Sequence, residues 1–391
     1  MSYDTPKPVV ARETPSALKR KINNAISVAC ARLKRQLGKF TTEFPAPSSI
    51  QGTYAVMDNS EWTNGFWTGT LWLAYEFSGD EAFFRAAETQ VKSFIQRLDH
   101  RINTNHHDLG FLYSLSCVAS WKLTGDALAR QSAINAADLL LNRYLPVAGI
   151  IQAWGNLNDP AESGRMIIDC NLNLPLLYWA SEQTGDPAYR NAADSHIQQA
   201  AKYIVREDYS TFHTFYMDPI TGSPQRGSTH QGFSDTSCWS RGQAWGIYGF
   251  PLVFRYNGDS SLIELSTRLA DYFLERLPSD GVCCWDLIFT DNETERDTSA
   301  AAIAVCGLLE IARQLPALDE RRSVYENQAE AIISVLIDKY ALTEADPTEG
   351  LLEGAVYHMP KGIGVNERCL WGDYFYLEAL MRLSRTWEPY W

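Results

Sequence analysis

Two aspartates stand where a helix is about to begin, each in a setting that could tune its proton affinity. Asp108 follows two histidines in Asn105-His106-His107-Asp108-Leu109-Gly110, and Asp169 ends the apolar run Met166-Ile167-Ile168 and precedes Cys170. Apolar neighbours desolvate a carboxylate and raise its pKa. Asp169 therefore reads as an acid that holds its proton, while Asp108 could be either partner. Opening two inner helices, they would face each other across the mouth of the ring, and two carboxylates in one cleft, one protonated and one ionised, are the groups that glycosidic chemistry needs. Capping is the ordinary role of an aspartate at a helix start, and it is the preferred reading, with salt bridging, for Asp58, Asp286, Asp297 and Asp373.

A second concentration of functional groups runs from Thr229 to Trp245, with His230, Gln231, Trp239 and Arg241 inside it. Arg241, at the positive end of a helix dipole, is a natural carboxylate clamp. Trp62, Trp239 and Trp245 could stack on a sugar face or fill a core. Five of the 7 histidines (His106, His107, His213, His230, His358) fall between helical units. No zinc-protease motif, EF-hand loop, Walker loop or glycine-rich dinucleotide fingerprint occurs, and Cys283-Cys284 has no CxxC companion. No metal and no cofactor are expected.

The elements that must position these groups recur. An aromatic-rich helix, a tight Gly-Asp turn and an amphipathic helix repeat at Gly79-Asp80, Gly125-Asp126, Gly185-Asp186 and Gly258-Asp259, spaced by 46, 60 and 73 residues. A fifth unit runs Ser299–Gln314 and Asp319–Tyr340. In Gly65–Phe77 apolar residues go all round, which predicts a helix buried on every side; in Glu81–Leu98 they form one stripe, which predicts an outer helix. The chain starts with an unpaired outer-type helix, Ser16–Leu37, and ends with an unpaired inner-type helix, Trp371–Ser384. The two complete a sixth hairpin, so the expected fold is all-α, a single closed (α/α)6 barrel of six helical hairpins. Residues 1–15 would be an N-terminal extension and residues 16–391 the barrel domain. Links inside hairpins are short and those between them long, so the long loops share one face with the N-termini of the inner helices.

Composition agrees with such a barrel. The 391 residues are 45% hydrophobic, enough for a large core, and Lys plus Arg number 34 against 47 Asp plus Glu. A net charge of −13 argues against nucleic-acid or anionic-membrane partners. The N-terminal residues carry charges and prolines where a signal peptide would be apolar, and the expected location is cytoplasmic. The cysteines fall in apolar patterns and read as buried thiols.

At these motifs the sequence resembles the unsaturated glucuronyl hydrolases, glycoside hydrolase family 88, from about residue 15 to the end. The likeness rests on Trp62-Thr63-Asn64-Gly65-Phe66-Trp67, His106-His107-Asp108-Leu109-Gly110-Phe111, Gly164-Arg165-Met166-Ile167-Ile168-Asp169, His230-Gln231-Gly232 with Arg241-Gly242-Gln243-Ala244-Trp245-Gly246, and Trp371-Gly372-Asp373-Tyr374. It implies an (α/α)6 barrel that acts on oligosaccharides bearing a 4,5-unsaturated uronate at the non-reducing end. Asp169 would protonate C4 and help to activate water, and Asp108 would position substrate and tune its partner. Trp62, His107, His213, His230, Gln231, Trp239, Arg241 and Trp245 would line the uronate subsite. A Ser-x-Lys pattern expected of sulfate-preferring members is absent from Tyr357-His358-Met359-Pro360-Lys361-Gly362. Three other readings stay open: an unsaturated rhamnogalacturonyl hydrolase, a cofactor-free epimerase using His213 and His230 as opposed acid and base, and a non-catalytic sugar-binding barrel.

Overall fold

The structure, a computed structural model, describes residues 15–159, 162–291 and 294–391. The expected N-terminal extension lies outside the described residues except for Pro15, which is already the first residue of helix α1 (Pro15–Phe40). Inner and outer rods then alternate. The inner α2 (Asn64–Ser78) is followed by the outer α3 (Glu81–Asp99). The second inner rod is α4 (Leu109–Tyr113) and α5 (Ala119–Thr124), joined through a π-turn at Ser114–Val118, and its outer partner is α6 (Ala127–Leu141). The third inner rod opens with a 3-10 turn, Ile168–Leu172, and runs on as α7 (Leu174–Thr184), backed by α8 (Pro187–Gln199). The rest are α9 (Ser240–Asn257), α10 (Ser260–Glu275), α11 (Thr298–Gln314), α12 (Arg321–Lys339) and α13 (Leu370–Ser384). Because α13 packs against both α1 and α2, the ring closes as six hairpins, an (α/α)6 barrel.

The repeated turn does what its two residues allow. Gly79, Gly125, Gly185 and Gly258 end their helices in the left-handed region, with φ between 67° and 77°. There a side chain would strain the backbone. Asp80, Asp126, Asp186 and Asp259 each accept a backbone N–H from the first turn of the next helix. The fifth hairpin lacks the glycine: α11 ends on an extended Leu315, and Asp319 accepts the Arg321 N–H at 2.9 Å. Inner α9 is buried without a break from Ser240 to Val253, whereas α3 buries a stripe that includes Phe83, Ala87, Val91, Phe94 and Leu98.

Loops at the N-terminal ends of the inner rods carry small sheets. Arg165–Ile167, Thr214–Met217 and Pro224–Ser228 form a three-stranded antiparallel sheet, and Ala355–His358 pairs with Ile363–Glu367. The opposite end of the barrel is sealed by the residues after α13. Trp391 stacks on Phe375 with centroids 5.9 Å apart and donates its indole N–H to Glu378 at 3.0 Å. Beside it Arg382 bridges the buried Glu310 (2.8 Å) and Glu378 (2.9 Å), so both carboxylates are compensated. All eight cysteines are free and buried. Among the described residues no helix is long and apolar enough to cross a membrane.

The rods that carry Asp108 and Asp169 meet at a glycine. A Cβ on Gly110 would lie 2.3 Å from the Cα of Asn173, and Asn173 Oδ1 accepts the Phe111 N–H at 2.8 Å. Gly65 plays the same part on the other flank, where a Cβ would lie 2.0 Å from the Phe111 carbonyl oxygen. Gly110→Ala is therefore expected to cost about 1–3 kcal/mol through forced separation of the rods. Gly38→Ala, in the last turn of α1 with nothing within 4 Å of its Cβ, should instead stabilise by up to about 0.5 kcal/mol. Urea midpoints of the two variants against wild type check both signs.

Candidate active site

Asp108 occupies the N-cap position of α4 but makes no side-chain cap hydrogen bond, which leaves its carboxylate for other work. Its own N–H donates to His106 Nδ1 at 3.1 Å, and His106 Nε2 donates to the Asn103 carbonyl at 2.9 Å, partners that assign the His106 proton to Nε2. Asp169 sits in the 3-10 turn that opens the next inner rod, and its Oδ1 is buried without a hydrogen-bond partner. His107 lies between them. Its Nε2 is 3.4 Å from Asp108 Oδ1 and 3.5 Å from Asp169 Oδ1. The expectation that the two aspartates face each other across the barrel mouth is corrected: consecutive inner rods are neighbours in the ring, so the carboxyls stand side by side on one imidazole.

The surroundings drive the two carboxyls apart in proton affinity. Burial pushes Asp169 well above the usual carboxylate range and the charge of Asp108 adds to it; Arg241 and the backbone N–H groups of Asp169 and Cys170 oppose this incompletely. Burial acts on Asp108 too, but there the imidazoles of His107 and His106, in the acid range where they take up protons, together with Arg143 outweigh it and hold the group below its ordinary value. Arg143 is itself pinned, donating to the Gln152, Asn105 and Gly155 carbonyls at 2.8, 3.1 and 3.1 Å. Burial depresses His107 to about 4, so its ring is neutral near pH 7. A carboxylate pair this tight keeps one proton, and the environment puts it on Asp169.

A cavity of about 320 Å³ opens over this pair. All ten residues singled out from the sequence line it: Trp62, His107, Asp108, Asp169, His213, His230, Gln231, Trp239, Arg241 and Trp245. His358, one of the loop histidines, also lines it, and Trp154, Tyr357, Lys361 and Ile363 complete the wall and were missed. Tyr357–Ile363 is the tip of a late hairpin, and only its place in the last long loop hinted at a role. Trp154 packs against the rings of His107 and His230, at 6.4 and 5.8 Å.

Arg241 differs from expectation. Its guanidinium donates to the Val356 carbonyl (2.8 Å), the Tyr357 carbonyl (2.7 Å) and Gln231 Oε1 (2.6 Å), lies 3.5 Å from Asp297, and is sandwiched between Trp239 and Trp371. It is a cross-tie that holds Gln231 and the late hairpin against α9, rather than a free carboxylate clamp. His213 and His230 also depart from the opposed pair an epimerase would need. Their rings are nearly parallel, 15° apart with centroids at 6.1 Å, and the His230 N–H donates to His213 Nδ1.

Of the four aspartates read as caps or salt-bridge partners, Asp297 is one, capping α11 and lying 3.5 Å from Arg241, whereas the other three tie loops instead: Asp58 accepts the Ser60 hydroxyl, Asp286 the Phe233 N–H and the Ser237 hydroxyl, and Asp373 the Leu351 and Leu352 N–H groups. His107, Asp108 and Asp169 together offer three ligand atoms within 4.8 Å of one another, a set a cation would fit. A proton on Asp169 removes one of those ligands, so acid pair and metal site are mutually exclusive states of the same three groups.

The model of Glycosyl Hydrolase Family 88 matches residues 33–360. The chain is 47% identical to the unsaturated chondroitin disaccharide hydrolase of Streptococcus pneumoniae, over 97% of this chain and 96% of that one. It is 49% identical to the unsaturated glucuronyl hydrolase of Bacillus sp. (strain GL1), over 94% and 98% of the two chains. The crystal structure of an unsaturated glucuronyl hydrolase from Streptococcus agalactiae superposes with a TM-score of 0.93 over 100% of both chains, at 46% identity.

The buried imidazoles give a direct check. His107 and His196 are both depressed by burial, to about 4 and about 3, so their ring resonances should stay in the neutral form as pH falls from 8 to about 5. Folded-state pKa values below the unfolded value of about 6.5 mean that the unfolded chain takes up protons first. Stability is thus fully present above about pH 6.5 and declines as pH falls toward 4, by about 1.4 kcal/mol per unit for each fully buried ring. NMR titration and urea midpoints across that window read the two effects.

Proposed function

The chain belongs to glycoside hydrolase family 88, and from that premise we propose that it removes the 4,5-unsaturated uronic acid from the non-reducing end of oligosaccharides left by a polysaccharide lyase. It is a glycoside hydrolase, and unsaturated chondroitin disaccharides, the substrates in the names of its streptococcal relatives, are the first class to test. The observation that carries the reading is the pair of carboxyls on one neutral imidazole at the base of an aromatic-walled cavity.

A carboxyl that holds its proton beside one that is ionised, both on the same imidazole, suits proton addition to an enol ether. Asp169 delivers its proton to C4; the C4=C5 π electrons form the new C–H bond, and positive charge develops on C5 and the ring oxygen. The ionised Asp108, next to that position, stabilises the charge. Asp169, now a carboxylate, takes a proton from water as the water oxygen bonds to C5, which restores the acid. The C5 hemiketal opens to a ketone, the acetal at C1 becomes a hemiacetal, and the remaining sugar is released.

Each wall residue has a part that needs no further group. The indole of Trp62, stacked on Trp371 at 5.3 Å and donating to the Tyr357 hydroxyl at 3.1 Å, is a rigid platform for a sugar face. Trp239 and Trp245 close the floor, and Gln231, fixed by Arg241, presents its amide to the cavity.

With an unsaturated chondroitin disaccharide, absorbance of the unsaturated uronate should decay in wild type and at least about 100-fold more slowly in Asp169→Asn. Because the reaction needs protonated Asp169, kcat/KM should fall as pH rises through the raised pKa. Asp108→Asn removes the neighbouring charge that helps to raise it, so residual activity should fall off at lower pH than in wild type. Undiminished decay in Asp169→Asn would contradict the assignment.

A further inference from the structure

Arg165 belongs to the motif that ends in Asp169, yet it is not among the residues that line the cavity. Its guanidinium lies 5.0 Å over the ring of Trp154, which does line the cavity, and 5.5 Å over the ring of Tyr216 on the adjacent strand. Arg226, one strand further out, covers the other part of the Tyr216 ring at 4.3 Å. The sheet register pairs Arg165 with Tyr216 and Tyr216 with Arg226, so all three share one face. The result is a row, Trp154–Arg165–Tyr216–Arg226, that leads from the cavity mouth to solvent, with Arg226 exposed at its end.

We propose that this row is an extended subsite for the acidic reducing-end units of a longer oligosaccharide whose unsaturated uronate sits at Asp108 and Asp169. The inference rests on the function proposed above. Aromatic faces match the apolar faces of pyranose rings, and guanidinium forks match carboxylate or sulfate. Among the described residues neither arginine is paired with a carboxylate, although the chain holds 47 acidic residues against 34 basic ones. An unpaired, stacked arginine in such a protein has its charge available to a ligand. Trp154 gives continuity, since it touches the His107 ring on one side and takes Arg165 on the other. The field has the same sign at this end of the cavity: after burial, Lys361 and Arg165 are what lower the proton affinity of His230.

The test compares kcat/KM for unsaturated chondroitin tetrasaccharide with that for the disaccharide, in wild type, Arg226→Ala, Arg226→Lys and Arg85→Ala, at low and high NaCl. Arg85 is an exposed residue of the outer α3 and serves as a charge-matched control. The tetrasaccharide-to-disaccharide ratio should fall about two- to fivefold in Arg226→Ala, recover in part in Arg226→Lys, and stay at the wild-type value in Arg85→Ala. In wild type the ratio should also fall with salt. An unchanged ratio in Arg226→Ala, or a salt-independent ratio in wild type, overturns the subsite while leaving disaccharide turnover as proof of the reaction. If wild type consumes neither substrate, the proposed function fails and the subsite falls with it.

Discussion

The account depends on one close approach. Two consecutive inner rods come near enough, at Gly110 and Asn173, for the first residues of each to share a single imidazole. Two carboxyls brought to that distance in a buried site cannot both ionise without large cost. Burial and Asp108 raise Asp169, while the neighbouring imidazoles and Arg143 hold Asp108 below its ordinary value. A carboxylic acid that holds its proton next to a carboxylate is thus a consequence of backbone packing. The barrel supplies it by placing the N-termini of neighbouring inner rods in one rim.

The rest of the molecule keeps that rim in register. Capped turns set the length of each hairpin, and the ring closes because the first helix packs outside the last. The far end is held by Trp391 and by the buried cluster of Arg382, Glu310 and Glu378. Phe111 spans the two ends: its ring contacts Trp391 at 6.0 Å below and Trp62 and Trp245 at 6.0 and 5.3 Å above. Three residues after Asp108, it couples the plugged base of the barrel to the cavity wall. Arg241 does similar work at the rim, where it ties the late hairpin to α9.

Much of this was legible in the sequence because it is local. Gly-Asp pairs announce left-handed helix ends and side-chain caps, and all-round versus striped apolar patterns separate inner from outer rods. The chemistry-bearing residues cluster at inner-rod starts, so the cavity list followed from the repeat. What was not legible depends on partners distant in the chain. Arg241 looked free because its acceptors, the Val356 and Tyr357 carbonyls, lie 115 and 116 residues away. His213 and His230 looked like an opposed pair because nothing local shows that one ring accepts the backbone N–H of the other. The side-by-side placement of Asp108 and Asp169 follows from ring order, which the hairpin count contains but residue spacing alone does not express.

The central claim is that Asp169 is protonated at neutral pH in the resting protein. The infrared difference spectrum between wild type and Asp169→Asn, recorded at neutral pH in H2O and in D2O, isolates that carboxyl. The account predicts a carbonyl band of a protonated carboxylic acid, shifted in D2O, that wild type has and the variant lacks. A difference spectrum showing only the stretches of an ionised carboxylate would contradict it.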